Sequence, residues 1–184
     1  MGHAARRGRV PGEALHGRSA PGDRPAVPPV TTSLLDSSAA VRACVFALAG
    51  QPFAIDVTQV REVAIFEEWT TVPLAPPHLV GVANLRGDVV PIADARAVLG
   101  LPARGGARKV PTLIVEAEGF EVALVIDGDV SLEAFGGIVT LDASSPQPHA
   151  RWALGFLPDG ERLVPLLDPG RLLRALKEAQ REEE

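Results

Sequence analysis

The chain has one cysteine, no tyrosine, and no apolar run of the length a bilayer requires. Each absence excludes something. Cys44 cannot close an internal disulfide, and its setting in CVFALA is that of a small buried hydrophobe. No base or helix start stands beside it to activate the thiol, and a reducing cytoplasm is the simplest compartment. Without about 18 consecutive apolar residues no membrane span is expected. Arg6 and Arg7 stand near the start, but no apolar segment of signal-peptide length follows them. A soluble, intracellular protein is therefore expected. Positive charge is also scarce: 18 Lys and Arg against 23 Asp and Glu leave a net charge of −5. A general nucleic-acid binder needs a basic stripe to neutralise phosphates, so that class is not expected.

Catalytic and cofactor signatures are thin as well. His78 and His149 are isolated beside prolines, His3 and His16 lie near the N-terminus, and no Cys/His/Asp cluster has metal-ligand spacing. Gly105-Gly106 and Gly136-Gly137 are not followed by the Lys-Ser/Thr of a phosphate loop, and no serine occupies a nucleophile elbow. No catalytic residue, metal or cofactor is expected. One enzymatic alternative is a hydrolase using Asp94 and Asp168, since paired carboxylates can share a proton. Asp94 is followed by Ala-Arg and Asp168 by Pro-Gly, without the hydroxyl-then-glycine loop of such a pair. Helix capping explains both.

What is present begins near residue 41. Residues 1–40 are dense in Gly, Pro, Arg and Ser (RPAVPPVTTS) and read as a disordered tail, because they hold too little apolar surface to offset ordering. Strands are expected at 41–47 and 53–55, with a short helix over VTQVREV capped by Asp56. Two more strands, 80–85 and 89–93, flank Arg86-Gly87-Asp88. A short helix is expected over 94–100 with Asp94 as its cap and Gly100 as its stop, then a Gly/Arg loop over 103–109. A hairpin turns at Glu118-Gly119 between 112–115 and 122–126. Strands near 152–157 and 162–167 flank Pro158-Asp159-Gly160, and Asp168-Pro169 opens a final helix with Leu172, Leu173 and Leu176 inward. The charged end, 179–184, should fray.

An internal repeat runs through this pattern. VVPIAD at 89–94 returns as LVPLLD at 163–168, an offset of 74 that also superposes Gly81 on Gly155. FAIDVTQV at 53–60 echoes ALVIDGDV at 123–130 less tightly. Short strands between Gly/Pro turns suggest two small closed barrels side by side, each half a unit ending in a capped helix. Trp152 reads as packed between elements; Trp69, in FEEWTTVP, is either a stacking platform or a packed residue.

In the hairpin Asn84-Leu85-Arg86-Gly87-Asp88, Asn84 and Gly87 suit a turn that needs positive φ. Arg86 has two readings: a donor fork for a partner's carboxylates, or a solvated arginine beside Asp88.

Four ordered segments together resemble the CheW family of chemotaxis coupling proteins: VFALAGQPFAIDVTQVREV, LVGVANLRGDVVPIADARAVLGL, the hairpin ending ALVIDGDV, and LGFLPDGERLVPLLDPGRLL. G-V-x-N-L-R-G-x-V-V-P-x-x-D is the specific one. The likeness covers 42–176, within a CheW-like domain at 41–178. It implies a mostly β fold of two SH3-like five-stranded barrels with short helices and a C-terminal helix. It also implies a non-catalytic adaptor in the cytoplasm, bridging the cytoplasmic tip of a chemoreceptor to the CheW-like domain of a CheA-type histidine kinase. The receptor tip would pack into an apolar groove between the barrels. Asn84, Leu85 and Arg86 of the turn, Gly81 before it, and Val60 and Glu62 of V-R-E-V would lie at or near the receptor-binding side. A second function within the binding class is a stand-alone module that holds a kinase or response regulator in a non-flagellar pathway. The chain departs from the family pattern at Ala83, Ala93 and Ala95, where bulkier apolar residues are usual; the smaller ones should loosen the barrel core or reshape its groove.

Overall fold

The computed structural model describes residues 40–106, 109–141 and 147–179. The tail over 1–39 and the end over 180–184 lie outside these residues. Among the described residues ten strands and one α-helix follow in order: β1 (Val41–Leu48), β2 (Gln51–Asp56), β3 (Val60–Phe66), β4 (Leu79–Leu85), β5 (Asp88–Ala93), β6 (Val110–Ala117), β7 (Phe120–Val125), β8 (Asp127–Phe135), β9 (Ala153–Asp159), β10 (Arg162–Leu167) and α1 (Pro169–Ala179). They form two five-stranded sheets. The central barrel has the order β3-β6-β7-β5-β4, and the terminal barrel β8-β1-β2-β10-β9.

The repeat extends further than its sequence trace, and it is built by exchange. A shift of 69 residues carries the pair Cys44↔Ile55 onto Leu113↔Leu124, and Val63↔Leu113 onto Leu132↔Cys44. A shift of 74 carries Val82↔Pro91 onto Phe156↔Pro165. Strands β1–β5 are therefore one copy and β6–β10 the other. Neither copy closes on itself. The central barrel joins β3, β4 and β5 to the β6–β7 hairpin of the second copy, and the terminal barrel joins β8, β9 and β10 to the β1–β2 hairpin of the first. The expectation that each half is its own unit is corrected.

This exchange explains the composition of the two hairpins. β1–β2 and β6–β7 are apolar on both faces, as a strand buried on both sides must be. One face of β6–β7 (Ile114, Ala123, Val125) fills the central barrel. The other (Leu113, Val115, Val122, Leu124) meets Phe46, Phe53 and Ile55 of β1–β2 in the cluster between the barrels. Leu172, Leu173 and Leu176 of α1 close that cluster, as expected. Asp168 caps α1, accepting from the Gly170 and Arg171 N–H groups at 2.9 and 3.2 Å. Ala83 lies inside the central barrel, whereas Ala93 and Ala95 belong to the cluster between the barrels, so their small size acts at the junction.

Two expected helices shrink to single turns. Asp56 does cap, accepting from Thr58 N–H at 2.8 Å, but only a single 3₁₀ turn follows over Val57–Gln59. VREVAIF then runs as β3, because pairing with β6 over Val63↔Leu113 and its neighbours outweighs the three-residue spacing of Val57, Val60 and Val63. After β5, one helical turn forms, with Leu99 N–H on Ala95 C=O at 2.9 Å, and Gly100 ends it at φ 68°. β8 was not anticipated: along most of its length it is exposed, so it offers no apolar alternation to read.

Candidate functional site

The β4–β5 hairpin closes through two residues, Arg86 (φ 55°) and Gly87 (φ 106°). Positive φ at both central positions is the type I′ geometry that suits the right-handed twist of a strand pair. Asn84 serves the turn through its side chain and not through its backbone: its Oδ1 accepts from Gly87 N–H at 3.0 Å. Arg86 is thereby held at the tip with its side chain 78% exposed, and its Nη2 donates to Glu62 Oε2 on β3 at 2.6 Å. One donor is used, and it goes to Glu62 of β3 and not to the neighbouring Asp88, while the side chain is otherwise exposed.

Val60 and Gly81 lie elsewhere. Val60 packs against the cluster between the barrels. Gly81 is buried beneath the segment joining β3 to β4; a Cβ there would stand 2.5 Å from Thr70 O and 2.8 Å from the Trp69 ring. Gly155 stands under the corresponding segment at Ile138 and Val139. The repeated glycine is thus a packing requirement, and Trp69 is a packed residue against the central barrel core. Leu85 lies under the turn, partly buried against the same core. Of the six expected residues, Asn84, Arg86 and Glu62 form one polar tip, Leu85 supports it, and Val60 and Gly81 serve the core.

Beside the tip runs an apolar groove of about 490 Å³, with β5 residues Asp88 to Pro91 on one side and Leu173 and Lys177 of α1 on the other. Val89 and Phe120 on its rim are 71% and 61% exposed. Lys177 Nζ sits 4.9 Å from the centre of the Phe120 ring, and Arg174 Nη1 donates to Glu118 Oε1 at 2.7 Å, so α1 is pinned to the β6–β7 turn. Arg61 on β3 pairs with Glu121 at the edge of the groove and with Glu116. An apolar floor inside a rim of both charge signs is the anatomy of a protein-docking surface. Residue-by-residue reading missed Phe120 and Val89. The repeat offered a signal for Phe120, because the shift of 69 places it on Gln51, and an exposed apolar residue where the other copy is polar needs a reason.

The carboxylates weighed as an acid pair are both occupied. Asp94 accepts from Arg96 N–H at 3.0 Å and from the Arg96 guanidinium at 2.9 Å. Asp168 caps α1 and pairs with Arg171 Nε at 3.2 Å. Carboxylates held by cap N–H groups and arginines have the geometry of structural caps, not of a shared-proton pair.

Comparison with known proteins settles the family: the sequence model of the CheW-like domain matches residues 42–177. The chain belongs to the CheW-like domain family. The chemotaxis protein CheW of Bacillus subtilis (strain 168) is 36% identical over 83 residues, which are 45% of this chain and 53% of that protein. The chain thus aligns with about half the length of this relative. The probable chemotaxis protein CheW of Rhizobium etli is 30% identical over 132 residues, 67% of this chain and 81% of that one. In fold, this CheW-like domain is similar to the scaffolding protein TtCheW from Thermoanaerobacter tengcongensis, with a TM-score of 0.59, 23% identity, and 73% and 88% of the two chains covered. Among the described residues no helix is long and apolar enough to cross a membrane.

Proposed function

We propose that this CheW-like domain is a non-catalytic adaptor that couples a chemoreceptor's cytoplasmic tip to a CheA-type histidine kinase on the cytoplasmic side of the membrane. The juxtaposition of the Arg86–Glu62 tip with the Val89/Phe120 groove carries the reading. A helical receptor tip has an apolar stripe for the groove and carboxylates or carbonyls for the free Arg86 donors. Exposed aromatic and arginine side chains dominate binding energy at such surfaces.

The test is reconstitution with a receptor cytoplasmic fragment and a CheA-type kinase from the same genome. The full chain should bind both and raise kinase autophosphorylation in the ternary mixture. Arg86→Ala should weaken receptor binding by roughly tenfold or more while leaving the melting temperature nearly unchanged, because the residue is on a solvated turn. Full binding of both partners with unchanged autophosphorylation sinks the coupling role, and binding of kinase alone moves the function to sequestration.

A further inference from the structure

Arg96 is 2% exposed, and a buried guanidinium needs a full set of partners. Its Nη1 donates to both carboxylate oxygens of Asp94 at 2.9 Å, and its Nη2 to Asp127 Oδ1 at 2.6 Å. Asp127 Oδ2 accepts from Ala49 N–H at 2.7 Å. Arg104 Nε stands 4.0 Å from the same Asp127 carboxylate. Asp94 and Arg96 belong to the turn that leaves β5 of the central barrel. Asp127 opens β8, and Ala49, at φ 49°, is the β1–β2 turn, both in the terminal barrel. One buried side chain therefore ties the two barrels together.

The device occurs once. In the second copy Asp168 keeps the cap, with Gly170 N–H in place of Arg96 N–H. Gly170 has no side chain to reach across, and Thr58 stands where the shift of 69 places the counterpart of Asp127. The strand that ends at this joint is the one that begins at the Arg86 turn. β5 supplies one wall of the groove, and α1, which continues from β10 of the terminal barrel, supplies the other. α1 is strung between the barrels, leaving β10 of the terminal one and pinned by Arg174 and Lys177 to the β6–β7 turn of the central one, so a change of angle pulls on this wall of the groove. The apolar cluster between them is non-directional and tolerates small slides. A forked guanidinium on two carboxylates is directional.

We propose that Arg96 is a positioning residue for partner binding: its pairs with Asp94 and Asp127 fix the angle between the barrels, and so the width of the groove between β5 and α1, without touching the partner. The partner half of this rests on the adaptor reading above; the half about barrel angle does not. Burial disfavours ionised Asp127, but hydrogen bonds from Arg96 and Ala49 N–H and the charges of Arg96 and Arg104 outweigh it and hold its carboxyl below the usual range.

The experiment measures distances between spin labels at Ile65 on β3 and Leu154 on β9, both exposed, in the full chain with Cys44→Ala. A single narrow distribution is expected without further change, and a broadened or displaced one in Arg96→Met. The same variant should bind a receptor cytoplasmic-tip fragment about tenfold more weakly. Arg86→Ala should lose binding with the distance distribution intact, which separates contact from positioning. A distribution in Arg96→Met that matches the parent overturns the proposal. Should Arg96→Met fail to fold, Asp127→Asn keeps the shape and the acceptor for Ala49 N–H while removing the charge. Broadening then supports the proposal and an unchanged distribution overturns it. A parent protein that does not bind the receptor fragment removes the partner half along with the coupling reading, and the label distances still decide the role of Arg96.

Discussion

Arg86 holds φ 55° where the corresponding residue of the second copy, Gly160, holds φ 58°. A side chain in this left-handed region costs about 1–2 kcal/mol, which glycine avoids. The exposed pair with Glu62 returns at most about 1 kcal/mol. Arg86→Gly should therefore be as stable as the parent or more so in urea unfolding, even as it weakens receptor binding. A loss above about 1 kcal/mol would make the arginine structural. At Gly81 the balance is reversed. A methyl group there meets backbone oxygen at 2.5 Å and a pinned indole, whereas at Gly155 the closest atom is a side-chain methyl, Ile138 Cγ2 at 2.3 Å, and the backbone oxygen of Val139 stands back at 3.1 Å. Gly81→Ala should cost about 1–3 kcal/mol and more than Gly155→Ala, measured side by side by thermal unfolding. Equal losses would mean that both joining segments yield alike. That both glycines matter was readable in the repeat. That they answer to a crossing segment was not, because the crossing joins residues whose proximity no local pattern encodes.

Among the elements, those announced by local chemistry were legible: the Glu118-Gly119 hairpin, the capped α1, and the strands on either side of Arg86-Gly87. β3 and β8 were not. Each pairs with a strand of the other copy, β6 and β1, 44 to 94 residues away, and tertiary pairing decided what spacing left open. The short connections also carry chemistry invisible in sequence. His149, at φ 66°, starts the 3₁₀ turn over Ala150–Trp152 and stands edge-on to the Phe53 ring with 5.0 Å between centres. Burial pushes its pKa down, against a hydrogen bond to the Leu99 backbone that raises it. The folded state then holds the neutral ring more tightly than the unfolded chain does. Its contribution is present above the unfolded value of about 6.5 and is lost as pH falls below it, through the lower folded value. His149→Gln should remove part of the stability lost between about pH 7.5 and 5.5, compared by urea midpoints at the two values. Identical losses in both proteins would acquit this residue.

For the molecule as a whole, exchange of hairpins makes the two barrels one thermodynamic unit. The largest apolar cluster is shared, since Phe46, Phe53 and Ile55 from one barrel meet Leu113, Val115 and Leu124 from the other. Neither barrel can open without exposing this surface, at about 25 cal/mol per Å². Calorimetry should show a single transition whose van't Hoff and calorimetric enthalpies agree; two resolved transitions would mean that the shared cluster does not couple them. The architecture of two five-stranded barrels was legible from the repeat and the family resemblance together. The exchange was not, because an offset tells which segments are alike and says nothing of which ones pair.

That exchange also sets an order of events during synthesis. Strands β3 to β7 leave the ribosome as one continuous stretch and can close the central barrel early. The β1–β2 hairpin is made first of all, yet Ala54 does not meet its neighbour Leu166 until 112 further residues have been added. At about 5–20 residues per second the hairpin waits roughly 6 to 22 seconds. Throughout that interval the hairpin face that carries Ala43 and Ala54 waits for Leu157, Val164 and Leu166, and the first hairpin translated is among the last to complete its sheet.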